Sequence, residues 1–281
     1  MDAHIVIIVA LAAFFHAAWN ATVKLGGNKI LSLAGMQVAL ILLVIPLIPL
    51  VGLPHRDSWP YVGMSMVLHF GYYLSLAGAY RHGDFAQTYP VARGCAPILV
   101  TLCGVFVLGE NFAPAEWAAL GGIIGGVMLI AARRIGEVLQ QRKALVSALC
   151  TACFIAAYTV ADGIGGRLSL NIPAYMVWSS LFGGAPVVAY ALHRCEWSEV
   201  RAFAPKWRVC FFAAALGLSA YWIVVWAMSK APIPLVAALR EISVVIAALI
   251  GAYYFKEKAG KRRIAASIII FCSIALLGLA G

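Results

Sequence analysis

Charge is scarce in this chain. Of its 281 residues, 11% are Asp, Glu, Lys or Arg, where a soluble domain carries about 25%. Hydrophobic residues make up 63%, and mean hydropathy is +0.92. A water-soluble fold has too little interior to hide that much apolar surface, so lipid must cover it. No polar stretch is long enough for a soluble domain. No nucleotide-binding motif is present, which excludes ATP-driven pumping by this chain alone. The histidines (His4, His16, His55, His69, His82 and His193) show no ligand spacing on one helix. Metal or other enzyme chemistry therefore has no basis, and no cofactor is expected. Cysteine is odd in number, at seven, and sits mostly inside apolar runs, so a disulfide framework is not expected. Cys150 and Cys153 read as small helix-packing residues.

The charge that is present is mostly basic, with a net of +10. In a soluble protein that balance would suggest nucleic acid. Here the basic residues fall in short breaks between apolar runs and read as topology signals, so no nucleic-acid partner is expected. A helix needs about 20 apolar residues to cross a bilayer. Ten stretches qualify, at approximately 4–24, 31–53, 59–80, 85–108, 114–133, 144–163, 172–193, 207–229, 233–255 and 262–280. The breaks between them carry turn residues, as in His82-Gly83-Asp84 and Asn111-Phe112-Ala113-Pro114. The first run follows Asp2 rather than a basic segment and contains His16, Trp19 and Asn20, so it reads as a retained helix rather than a signal peptide. Of the 21 Lys and Arg, 16 lie in the odd-numbered loops, three in the even-numbered ones, and Arg93 and Arg240 within spans. That bias places the odd loops in the cytoplasm and both termini outside, in a multi-pass protein of the inner (plasma) membrane.

The chain repeats itself. A shift of 147 carries Arg93 onto Arg240, Gly104 onto Gly251 and Glu110 onto Glu257. A shift of 148 carries Tyr73 onto Tyr221, and a shift of 139 carries Trp19 onto Tyr158. The expected organisation is a first five-helix repeat at 1–135, a cytoplasmic linker at 136–143 and a second repeat at 144–281. Five is odd, so the second repeat crosses the membrane in the opposite sense. Inverted repeats around a central cavity are the architecture of secondary transporters, with the site near the midplane.

Candidate site residues are polar groups at membrane depth. Arg93 and Arg240 lie about eight and seven residues into their spans, roughly 12 Å deep at 1.5 Å per residue. A charge there costs about 2.5–3.5 kcal/mol on insertion scales. Two readings stand: the arginines bind a carboxylate or phosphate-like group from opposite sides, or they fix packing. Glu241 either carries a coupling proton or neutralises a charge across the packing. His16, Trp19 and Asn20 share a helix face and either face a ligand or tie the first span to its neighbours. Tyr73, Tyr89, Tyr221 and Trp222 are candidate cavity aromatics. Pro90 and Pro97 flank Arg93-Gly94 and predict a bent fourth span. Asp162 reads as an interfacial cap, and Glu110 and Glu257 as interfacial structure markers.

These residues carry a resemblance. Ten spans in two halves, Leu108-Gly109-Glu110 and Phe255-Lys256-Glu257 after the fourth span of each, and the segments Gly83–Gly94 and Leu239–Ser243 resemble the EamA-type permeases of the drug/metabolite transporter superfamily. Lys256 departs from the usual small or apolar residue. The resemblance implies transport of a small polar or zwitterionic metabolite, amino-acid-like or anionic, by alternating access, with export favoured. The partners implied are that substrate and membrane lipid, in a monomer or homodimer. A flippase for lipid or lipid-linked substrates is the alternative.

Overall fold

Hydrocarbon offers no water to a backbone, so each apolar run must satisfy its N–H and C=O groups internally, as a helix. In the computed structural model the backbone is described for residues 1–24, 29–82, 85–139, 142–246 and 261–279. Within these, side chains are described except at 21–24, 29, 76–82, 85–90, 132–139 and 263. Among the described residues the protein is all-helical, with ten principal helices, six of them long and apolar enough to cross a membrane, and no strand. They are α1 (Ala3–Lys24), α2 (Lys29–Val44), α3 (Trp59–His82), α4 (Phe85–Phe106), α5 (Pro114–Leu139), α6 (Arg142–Leu168), α7 (Ile172–Arg194), α8 (Trp207–Lys230), α9 (beginning as Ile233–Leu239) and α10 (Lys261–Leu279).

Three elements differ from the hydropathy reading. The second span tightens into a 3-10 turn at Ile45–Leu47 and ends in a last turn, Ile48–Val51, because Pro46 and Pro49 have no N–H to continue the ladder. The loop after α7 folds into a short helix, Trp197–Phe203, closed by a capping box between Glu196 and Glu199. The guanidinium of Arg201 lies over the Trp197 ring at 5.8 Å, and that of Arg208 over Trp207 at 5.5 Å. Both tryptophans are exposed, the pattern of an anchor at headgroup depth. The third difference is in α9, which is broken. Its first helical segment ends at Leu239, residues 240 and 241 form a turn, and helix resumes at 242–246. Glu241 N–H donates to Ala238 O (2.9 Å), Ser243 N–H to Arg240 O (3.1 Å) and Val244 N–H to Glu241 O (2.9 Å). These i to i−3 bonds are the tighter 3-10 pattern, which within a helix marks a hinge or strain.

Packing displays the repeat. α1 packs on α8 and, equivalently, α6 packs on α3. α2 meets α8 as α7 meets α3, and α2–α7 and α5–α10 pair across the pseudo-twofold axis. The two halves are thus interleaved, each helix of one resting on helices of the other. At the α5–α10 crossing, a Cβ on Gly126 would stand 2.5 Å from Ile270 Cγ1 and 3.2 Å from the backbone oxygen of Ala266. Only glycine permits that approach, the small-residue packing of membrane helices. The outer surface is apolar: Ile7, Leu42, Phe106, Phe212 and Phe271 are each more than half exposed, as lipid contact requires.

Candidate functional site

The interface between the halves collects buried polar groups. Arg93 on α4 is buried, and Nη2 donates to Glu241 Oε1 at 3.0 Å and to Ser243 Oγ at 3.3 Å. Glu241 therefore pairs with the arginine of the other half, through the break in α9. Gly94 beside Arg93 lets α4 lie against α5, since a Cβ there would meet Met128 Sδ at 2.8 Å. Pro97 cannot donate to the carbonyl of Arg93, so that oxygen is released from the helix ladder.

Arg240 is buried and differently placed. Its guanidinium lies over the ring of Tyr221 at 5.6 Å. Among the described residues it makes no ion pair or hydrogen bond. It lines a small cleft, with room for about one water, together with His16, Tyr221, Ala12, Ala13, Ala220 and Val224. Trp19 Nε1 donates to His16 Nδ1 at 3.2 Å. Nδ1 is thereby the acceptor nitrogen, so the proton of the neutral ring sits on Nε2. Among the described residues that buried Nε2 has no partner. The cleft thus presents a cation, an unsatisfied N–H donor and an aromatic face, walled by small apolar residues.

Other candidates fall elsewhere. Asn20 donates to the His16 carbonyl of its own helix at 2.8 Å. Trp19 packs beside Met36, Ala39, Ala213 and Ala214, so it serves the site through His16. Tyr73 accepts from Gln37 Nε2 at 2.7 Å and ties α3 to α2. Trp222 packs against a cluster of Val62, Tyr175 and Val225 that Tyr221 also joins. The Tyr89 side chain, Lys256 and Glu257 lie outside the described residues.

The interfacial reading of Asp162 is corrected. α6 continues through Gly163-Ile164-Gly165-Gly166 to Leu168, so Asp162 is in mid-helix and 1% exposed. Gly165 lets the Tyr175 ring lie against α6, and its hydroxyl reaches Asp162 Oδ1 at 2.7 Å. Tyr221 donates to Oδ2. Its ring carries Arg240 while its hydroxyl holds Asp162, a connection that side-chain spacing in sequence does not reveal.

The even-loop face is tied shut between the halves. Glu110 Oε1 accepts from Arg167 Nη2 (2.9 Å) and from the N–H of Ile233 (3.3 Å). Arg167 also donates to the carbonyls of Met228 (2.8 Å) and Ala231 (2.9 Å). Asn171 donates to Val51 O and Trp178 to Gly52 O, both at 2.9 Å.

Two interleaved repeats around a buried polar cleft, in a lipid-facing shell, define a membrane transporter built on an inverted repeat. The model of the EamA-like transporter family matches residues 4–132 and again 142–279, and the chain belongs to that family. Its members are transporters of the drug and metabolite kind. A solved structure titled "Crystal structure of protein" superposes with a TM-score of 0.77 at 17% identity, covering 100% of this chain and 98% of that one. At that identity the likeness is one of fold. No curated protein matches the chain significantly.

Proposed function

We propose that the protein is a secondary transporter of a small anionic or zwitterionic metabolite, which binds between the two halves and is moved by alternating access. The observation that carries this reading is the inequality of the two arginines. Arg93 is paired directly with Glu241; among the described residues Arg240 makes no direct ion pair or hydrogen bond and lies over an aromatic face beside a small cleft. A buried guanidinium with no direct hydrogen-bonded partner is costly in a membrane, and a carboxylate or phosphate oxygen supplies charge-assisted hydrogen bonds. His16 Nε2–H offers a second donor. The ties at the even-loop face describe a conformer closed on that side. The loop-charge bias supports odd loops in the cytoplasm, and the family resemblance supports export.

The test is flux of labelled anionic, zwitterionic and cationic metabolites into proteoliposomes. Anions or zwitterions should cross and cations should not. Arg240→Gln should abolish flux in a protein that still folds. Undiminished flux in that variant, or flux of cations alone, defeats the reading.

A further inference from the structure

Asp162 is the buried carboxylate that the anion site does not use. Glu241 has Arg93 and Glu110 has Arg167. Among the described residues no Lys, Arg or His stands within ion-pair distance of Asp162. Its oxygens are held only by the hydroxyls of Tyr175 and Tyr221. One turn earlier on the same face of α6, Thr159 Oγ1 is buried with no partner.

The charges of this layer can be summed. Arg93 and Arg240 contribute two positive charges, and Glu241 and an ionised Asp162 two negative ones. The empty site is then neutral. A monoanion entering beside Arg240 would leave one negative charge in excess, in surroundings where an unbalanced charge is expensive. A proton on Asp162 removes the excess.

We propose that Asp162 is the proton-binding site of this transporter, and that its proton and the anion bind together. The anion half of this rests on the function proposed above; the proton site does not. The proton comes from solvent or from the acid form of the substrate and ends on a carboxyl oxygen of Asp162. With the proton on Oδ2, the carboxyl donates to the Tyr221 oxygen, and the phenolic hydrogen turns away from Asp162. No covalent bond other than O–H changes. Tyr221 stands between the two sites, with its hydroxyl on the carboxyl and its ring under Arg240. By linkage, protonation raises anion affinity by the same factor as the anion raises proton affinity.

The groups facing this layer are few. His69 of α3 stacks on Tyr158 at 4.2 Å and meets Tyr221 edge-on at 5.7 Å, with Tyr72 beside Tyr158. α4 brings Arg93 and Cys95, α7 brings Tyr175, α8 brings Tyr221, and the break in α9 brings Arg240 and Glu241. α6 itself adds Tyr158 and, towards its end, Arg167.

Difference infrared spectroscopy of the full chain in liposomes tests the proton site. Acidification should raise the carbonyl band of a carboxylic acid shielded from water. That band should vanish in Asp162→Asn and persist in Glu241→Gln. No such band in the wild type, or one lost in Glu241→Gln and kept in Asp162→Asn, overturns the proposal. Where Asp162→Asn does not fold, Tyr175→Phe decides: it removes one hydrogen bond to the carboxyl, so the band must move, and an unmoved band counts against Asp162. The second arm adds L-glutamate to a weakly buffered suspension and follows pH, with tryptophan fluorescence as the binding signal. Proton uptake should accompany binding in the wild type and be lost in Asp162→Asn. Binding without proton uptake refutes the coupling. Absence of L-glutamate binding counts against the anion reading, while the infrared result still decides the proton site.

Discussion

The Arg93–Glu241 bridge lends itself to a variant pair whose effects on stability agree in sign and whose effects on binding oppose. The two groups stand 3.0 Å apart with about 5% and 4% of their side chains exposed. Removing one member of such a pair leaves the other buried without compensation, at a cost of about 3–5 kcal/mol. Arg93→Gln and Glu241→Gln should both lower the melting temperature in detergent. Arg93→Met with Glu241→Leu should recover most of the loss, because an apolar pair of similar volume needs no counter-charge. Ligand binding should separate the single variants. Glu241 follows Arg240 in the chain, and a separation of about 8 Å between its carboxylate and an anion held there is assumed. At an effective dielectric of about 20, unit charges at that separation interact by about 2 kcal/mol. Glu241→Gln should therefore tighten anion binding by roughly 30-fold, and Arg93→Gln should weaken it by a comparable factor. Thermal unfolding read by tryptophan fluorescence, with an anion titration on each variant, measures both. Wild-type melting in both single variants, or the same direction of affinity change in both, would refute the reasoning.

Three further outcomes follow from the packing. Gly126→Val should destabilise the protein by about 1–3 kcal/mol through overpacking against Ile270 and Ala266, while Gly125→Val, with open space around its Cβ, should be nearly neutral; thermal unfolding compares them. Trp19→Phe removes the donor that holds His16 Nδ1 as acceptor, and should weaken anion binding by roughly 3–10-fold, about the worth of one net hydrogen bond, with little change in melting. Arg167→Gln cuts the ties to Glu110, Met228 and Ala231. It should increase labelling of an Ala13→Cys probe from the even-loop face, measured against the same probe in an otherwise intact chain.

The spans were legible because bilayer thickness imposes a length and lipid imposes a composition. The repeat was legible because charged residues are rare enough at depth for Arg93 and Arg240 to register. Asp162 was misread for a physical reason. Gly163, Gly165, Gly166 and Arg167 look like the end of a helix in water, but in a bundle glycine admits close neighbours, here Ile233, Tyr175 and Val225, and the helix continues. The break in α9 has no glycine or proline at residues 240 and 241 to announce it; those positions are an ion-pair partner and a cleft-facing arginine. Tyr221 and His16 were legible as polar-capable groups at depth. That they meet at Arg240 depends on α1 packing against α8, a pairing no local pattern encodes.

Under the shift that superposes the arginines, Glu241 corresponds to Gly94. The first half has no acid at that register, so the bridge can form in only one sense. If the halves were identical in sequence, their two exchanged conformers would be isoenergetic, and an empty carrier would divide its time equally between faces. One unmatched carboxylate removes that degeneracy. In a carrier that works by alternating access, such an unmatched carboxylate sets a preferred resting side.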